Sequence, residues 1–330
     1  MLVVAGPVGE RGHERTGHPE RPARLTAAMA GVHDLELGDD LMTVGPAPVS
    51  ADQLARVHDR RHLEWLEAQP PGQLDADTYL AADSWDTALR AAGAGLAAVD
   101  TVGSHAGAVG FVAARPPGHH AERHRAMGFC LINNIAVAAA ELAARGERVA
   151  VIDWDVHHGN GTQEIFWDVP EVLYVSTHQS PWYPGTGRPD EVGGTHARGQ
   201  TLNLPLPAGA TGDVLRRAFE EIAGPVVERF APSWVLVSAG YDAHRADPLA
   251  HLELSSGDFA ALARIVASYG TSKIVLFLEG GYDLDALRAS VAASLGALVD
   301  AAVGTEAPTA GGPGDAALES SRRAYEGALS

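Results

Sequence analysis

Apolar residues along this chain fall into two kinds of stretch, and the two alternate. Short, mostly apolar runs at 109–114, 149–154, 172–177, 234–239 and 274–278 are each bounded by turn residues. That is the pattern of strands buried on both faces. Longer stretches at 21–32, 85–102, 132–145, 213–229, 256–269 and 283–303 read as helices. Ser256 with Asp258, and Asp283 with Asp285, supply polar helix starts. Strand–helix alternation implies an α/β fold with a mostly parallel central sheet and helices on both faces. The alternation runs without an internal repeat or long linker through 1–303, read as one catalytic domain. Residues 304–330 stand apart. The part from Gly304 to Gly314 is rich in Gly, Pro, Ala and Thr and reads as a flexible lead into a short helix at 316–327. Nothing in the residues chooses between a disordered and a docked tail.

The unusual polar clusters follow the carboxyl ends of the predicted strands. They are Arg115-Pro-Pro-Gly-His119-His120, Asp153-Trp-Asp155-Val-His157, His178, Gly240-Tyr-Asp242 and Glu279-Gly-Gly-Tyr282. Open α/β sheets build their sites at that edge, and a site assembled from residues 115 to 282 again argues for one domain. Asp153, Asp155 and His157 point to one side if strand geometry persists through them. Burying two carboxylates with an imidazole needs compensation, and a divalent cation is the simplest; the plain alternative is a solvated strand end. Asp155, His157 and Asp242 together suit a catalytic zinc, which keeps three protein ligands and an open position. Fe²⁺ or Co²⁺ would be accommodated by the same donors. His119 and His120 offer imidazoles for proton transfer near neutral pH, and the Pro-Pro-Gly turn fixes their backbone. Tyr282, after two glycines, either brings a phenol to the reacting centre or packs as a core tyrosine.

These segments resemble the zinc-dependent histone deacetylase and acetylpolyamine amidohydrolase superfamily. The resemblance is carried by Arg115-Pro-Pro-Gly-His-His-Ala, Gly128-Phe-Cys, Asp153-Trp-Asp-Val-His-His-Gly-Asn-Gly-Thr-Gln, Tyr183-Pro-Gly-Thr-Gly, Ser238-Ala-Gly-Tyr-Asp and Leu278-Glu-Gly-Gly-Tyr. His18-Pro-Glu-Arg-Pro also matches, and the motifs fall in family order over roughly residues 12 to 300. The flavour is that of the class II-like branch found in bacteria, which implies the arginase/deacetylase-like α/β architecture. The resemblance implies Zn²⁺ on Asp155, His157 and Asp242, polarising an amide carbonyl and activating a water. It implies His120 as the main general base and acid, with His119 as its electrostatic partner. It implies Tyr282 as donor to the developing oxyanion and Asp153 as the group that holds the tautomer of His119. Asn160 stands where some relatives carry an aspartate behind His120, and an amide should leave that imidazole less basic. Gly128, Phe129 and Tyr183 match a narrow tunnel for an acyl-lysine-like chain, and Asp77 matches loosely a rim aspartate. Leu249 occupies a rim position where polyamine-specific relatives use glutamate, which leans towards acyl-lysine. Backbone groups of Asp153, Asp155 and His157, with Ser176 and Thr177, resemble a structural K⁺ site.

Composition narrows the partners. The 330 residues carry 42 acidic and 24 basic side chains, a formal charge of −18. This argues against nucleic acid and anionic membranes, which want a basic footprint. Attraction of a cationic substrate and simple solubility explain it equally well. Cys130 is the only cysteine, so no internal disulfide forms. No apolar run approaches 18 residues and no signal peptide stands out, so a cytoplasmic protein is expected. Homo-oligomers are compatible with the sequence but not indicated by it. The expected activity is removal of acetyl or other acyl groups from acylated amines such as acetyl-lysine, with acetylpolyamine hydrolysis the alternative. Two rivals are weaker. A two-metal ureohydrolase needs further carboxylates where Gly159 and Gly240 stand, and a non-enzymatic ligand sensor should have lost part of the His, Tyr and metal-ligand set.

Overall fold

A computed structural model describes all residues 1–330. The strands are β1 (Leu2–Val8), β2 (Leu41–Val44), β3 (Gly72–Gln73), β4 (Tyr79–Leu80), β5 (Val109–Ala114), β6 (Val149–Asp153), β7 (Val172–Gln179), β8 (Thr201–Leu206), β9 (Trp234–Ala239) and β10 (Ile274–Leu278). The helices are α1 (Pro22–His33), α2 (Ala51–Ala55), α3 (Arg60–Glu67), α4 (Ser84–Ser104), α5 (Asn134–Ala144), α6 (Asn160–Phe166), α7 (Gly212–Arg217), α8 (Gly224–Phe230), α9 (Ser256–Ala267), α10 (Leu284–Val299) and α11 (Asp315–Leu329). Eight strands form one sheet in the order β2-β1-β5-β10-β9-β6-β7-β8, and every pairing in it is parallel. β3 and β4 form a separate antiparallel hairpin.

Period-two alternation divides each strand between two cores. In β9, Val235, Val237 and Ala239 face a core shared with α1, α7 to α11, while Trp234 and Leu236 face one shared with α3 to α6. Helices on both faces are what an all-parallel sheet requires. The four middle strands, β5, β10, β9 and β6, carry at their carboxyl ends all of the polar clusters except His178 on β7, so the strand order itself gathers the candidate site.

Several elements differ from the sequence reading. β1, β2 and β8 join the sheet, although none was among the candidate strands. β8 contains Pro205, which breaks the strand signal; it pairs only with β7, and the sheet edge tolerates a residue without an N–H. β6 ends at Asp153, one residue short of expectation, and β7 continues to Gln179. The helix expected at 213–229 runs from Gly212 to Phe230 with a π turn at Ala218–Ala223. Pro225 sits just after that turn and cannot donate to an i−4 carbonyl, so the wider turn accommodates it. The 304–314 stretch has no helix or strand, but it is held. Glu306 accepts from Ser256 N at 3.0 Å and pairs with His244 at 2.7 Å and with Arg245. Thr309 hydrogen-bonds Asp258, and Gly312 N donates to Thr211 Oγ1 at 2.8 Å. α11 then packs on β8 through Leu318 and Tyr325.

Beneath the site lies a buried ion cluster. Glu20 receives both arms of Arg115, at 2.5 and 2.6 Å, and Nη1 of Arg24 at 3.2 Å. Arg115 also donates to Gly9 O and His13 O, and Arg24 to Gly281 O and Glu279 O. All three side chains are fully buried. Burial works against the charge on Glu20, but the two guanidiniums hold its pKa below the usual carboxylate value. Glu20→Ala strands two buried cations, and breaking such a cluster costs about 3–5 kcal/mol. Denaturant unfolding of the variant and wild type should show that loss; a loss below about 1 kcal/mol would remove the cluster from the stability argument.

Candidate metal centre and catalytic site

Asp155 and His157 lie in the loop that follows β6, and Asp242 in the loop that follows β9. Strand geometry does not persist past Asp153, yet the loop still converges the side chains. One ligand atom from each of Asp155, His157 and Asp242 lies within 4.8 Å of the others. His157 Nδ1 is 3.1 Å from Asp155 Oδ1 and 3.2 Å from Asp242 Oδ2. Backbone amides place the carboxylates: Gly280 N donates to Asp155 Oδ2 at 2.9 Å and Val156 N to Asp242 Oδ1 at 3.0 Å. Asp242 Oδ2 is buried with no hydrogen-bond partner. A buried, unpartnered carboxylate oxygen facing an imidazole and a second carboxylate fits a divalent cation, since such charge is otherwise costly.

The two histidines after β5 are backed differently. His119 donates through Nδ1 to Asp153 Oδ2 at 3.0 Å, and Tyr174 OH donates to the same oxygen at 3.1 Å. Burial opposes charge on His119, but the Asp153 and Asp155 carboxylates prevail and push its pKa up to about 10. A bound dication would push the other way. His120 Nδ1 meets Asn160 Oδ1 at 2.8 Å. Burial, then the neighbouring His119 and His157, hold its pKa well below the usual imidazole value. Glu279 Oε2 accepts from Gly118 N at 2.7 Å and His119 N at 3.2 Å, so a buried carboxyl fixes the backbone under the histidine pair. Its burial pushes its pKa up to about 7.

A cavity of about 260 Å³ opens on this cluster. His119, His120, Asp155 and His157 line it with Gly280 and Tyr282, as do Gly128, Phe129, Tyr183 and Leu249. Gly128 has φ +57°, and a Cβ there would lie 2.4 Å from the His120 ring, so the wall can approach the imidazole only as glycine. Tyr183 meets His120 edge-on at 5.2 Å, and Phe129 meets Tyr282 edge-on at 5.8 Å. Arg24 lies 4.8 Å over the Tyr282 ring, and Tyr282 N donates to Asp247 Oδ2 at 2.6 Å. Asp77 also lines the cavity, on a loop tied to His18 Nε2 through its carbonyl at 3.0 Å.

A model of the histone deacetylase domain matches residues 18–298. The chain belongs to the histone deacetylase family. It is 41% identical over 307 residues to "Histone deacetylase 10, chloroplastic" of Oryza sativa subsp. japonica, covering 85% of this chain and 69% of that one. It is 38% identical over 278 residues to "Histone deacetylase-like amidohydrolase" of Pseudomonas aeruginosa, covering 81% and 73%. The crystal structure of the HDA15 HD domain superposes with a TM-score of 0.87 at 32% identity, covering 99% of this chain and 95% of that one. This histone deacetylase family member is therefore a hydrolytic deacetylase or amidohydrolase with a candidate metal triad. No helix is long and apolar enough to cross a membrane.

The deacetylase cavity has a wall residue the sequence reading missed. Trp182 is 37% exposed, lines the mouth beside Tyr183, and donates its indole N–H to Leu249 O at 3.0 Å. Its position next to Tyr183 in the Tyr-Pro-Gly-Thr-Gly motif was the available signal. Asp247 and Arg24 were also missed, and their long separations from Tyr282 leave no local signal. Gly159 and Gly240 are closed to larger residues. Their Cβ atoms would lie 2.3 Å from Asp153 Oδ2 and 2.0 Å from Asp155 Oδ2, so there is no space for the carboxylates of a second metal. Asp242→Ala or His157→Ala should abolish stoichiometric binding of a divalent metal. Elemental analysis and calorimetric titration check this, and full metal content in either variant removes that residue from the centre.

Proposed function

We propose that the protein is a zinc-dependent amidohydrolase that removes acetyl groups from acetyl-lysine or similar acylated amines. The reading rests on one observation above the others: Asp155 and His157, clustered with Asp242, line the same cavity as His119, His120 and Tyr282. When bound, the metal supplies Lewis acidity to the amide carbonyl and lowers the pKa of water. His120, held through Nδ1, takes the proton from the attacking water and delivers it to the leaving amine as the C–N bond breaks, giving acetate and a free amine. His119, paired with Asp153, supports this electrostatically. Tyr282 donates to the oxygen on which negative charge develops.

Phe129 and Tyr183 form aromatic walls suited to an aliphatic chain. Leu249 at the rim offers no charge to a second ammonium group, which supports acyl-lysine over acetylpolyamines. A structural K⁺ beside Asp153 is supported by Thr177 Oγ1, which is buried without a hydrogen-bond partner.

Tyr282→Phe should keep its metal and lose about 10²–10³ in turnover, the usual cost of one oxyanion donor. Wild-type turnover in that variant would take Tyr282 out of the mechanism. His120→Ala should be more damaging than His119→Ala in matched kinetics. The reading as a whole is tested by amine release from an acetyl-lysine peptide and from N-acetylputrescine, with the zinc-loaded protein and a chelator control. Chelator-sensitive preference for the peptide is expected. Preference for the diamine overturns the Leu249 argument, and release from neither overturns the substrate class.

A further inference from the structure

His120 is backed by an amide where His119 is backed by a carboxylate. An amide can face an imidazole with either end. If Asn160 presents its oxygen, Nδ1 of His120 must carry the proton and Nε2 keeps its lone pair. If it presents its nitrogen, the neutral ring takes the opposite tautomer and Nε2 has nothing to accept with. Something must therefore fix the amide.

The fixing groups are on the far side of Asn160. Its Nδ2 lies 2.7 Å from Glu122 Oε1 and 3.3 Å from Met127 Sδ. A carboxylate and a thioether have no proton to give, so both require the donor end of the amide. Glu122 is itself held on its backbone. Its N–H donates to Arg125 O at 2.9 Å, and its carbonyl accepts from His58 Nδ1 at 2.9 Å. Asn133 N donates to His58 Nε2 at 3.0 Å, which leaves Nδ1 as the nitrogen of His58 that carries hydrogen. Asn160 is buried and opens α6, so its side chain has little freedom except rotation of the amide plane.

We propose that Glu122 is a positioning residue for the hydrolytic reaction. Its carboxylate locks the Asn160 amide with Oδ1 towards His120, and so holds the imidazole in the tautomer whose Nε2 accepts a proton. The control passes through acceptor-only chemistry: Glu122 accepts, so Asn160 donates backwards and accepts forwards, so His120 donates through Nδ1. This role rests on the assignment of His120 as the base, but the tautomer can be read without any activity.

The test uses the full zinc-loaded chain, labelled with ¹⁵N-histidine, in long-range ¹H–¹⁵N correlation spectra at mildly alkaline pH. His120 signals are assigned by their loss in His120→Ala. The wild type should show a single tautomer protonated at Nδ1. In Glu122→Gln, whose amide can donate as well as accept, the Nδ1 and Nε2 shifts of His120 should move towards each other as the tautomers mix. An Nε2-protonated ring in the wild type, or an unshifted ring in Glu122→Gln, overturns the proposal whatever the protein hydrolyses. Kinetics supply a second arm. Glu122→Gln should lower kcat by about 10-fold with KM little changed, within the range that losing an orienting partner costs. In an Asn160→Asp background the sign should invert. There Glu122 faces a second carboxylate, and Glu122→Gln relieves the repulsion and raises kcat. A merely structural Glu122 would lower kcat in both backgrounds, and that result overturns the proposal.

Discussion

The structure is governed by acidic groups concentrated at the carboxyl edge of three adjacent parallel strands, β10, β9 and β6. Asp153, Asp155, Asp242 and Glu279 are all buried there, and each would be costly alone. Their compensation comes from separate sources. Amide groups of Val156 and Gly280 satisfy the ligand carboxylates, and those of Gly118 and His119 satisfy Glu279. Imidazoles face Asp153 and the two ligand carboxylates. Below them, Arg24 spans Glu20, the backbone of Glu279 and Gly281, and the Tyr282 ring. His157 and the two carboxylates together form a donor set that suits a dication.

Space is the second constraint. The site is so close-packed that glycines mark its walls. A methyl group at Gly240 or Gly280 would fall within 2.0 Å of a metal-centre carboxylate, and one at Gly128 would strike His120. These positions let the chain pack tightly against the candidate catalytic groups without adding polar atoms that would need partners of their own. Preorganisation of this kind lets hydrogen-bond donors and dipoles act on a transition state without rearranging.

Much of this was legible in the chain. The five strands that were read include the four central ones, because strands buried on both faces leave unbroken apolar runs. The polar clusters after them contain the candidate metal triad, both histidines and Tyr282, because adjacent parallel strands deliver their carboxyl ends to one edge. Less legible were features with no period. Pro205 masked β8, and β1 at Leu2–Val8 was not among the candidate strands. Glu122, Asp247 and Glu306 act across turns or long separations, and neither hydropathy nor motif spacing reports a hydrogen bond to Asn160, Tyr282 N or Ser256 N. The Gly- and Pro-rich composition of 304–314 suggested a flexible lead and left docking open, and its backbone and side-chain polar groups are tied to the amino ends of α7 and α9.

The strand order carries a consequence for biosynthesis. β10 is the last strand to be made, yet it lies between β5 and β9. A ribosome that has released β1 to β9 has therefore supplied two partial sheets, β2-β1-β5 and β9-β6-β7-β8, each with an open edge of buried-type sequence. Such edges are templates for wrong pairing, and contacts so distant in sequence form slowly. The same five residues, Ile274–Leu278, close both edges at once and bring Glu279 and Tyr282 to the candidate metal ligands. Closing the sheet and bringing the candidate catalytic groups together thus depend on the same strand, and a chain truncated before residue 274 would lack the strand that joins the two halves of the sheet.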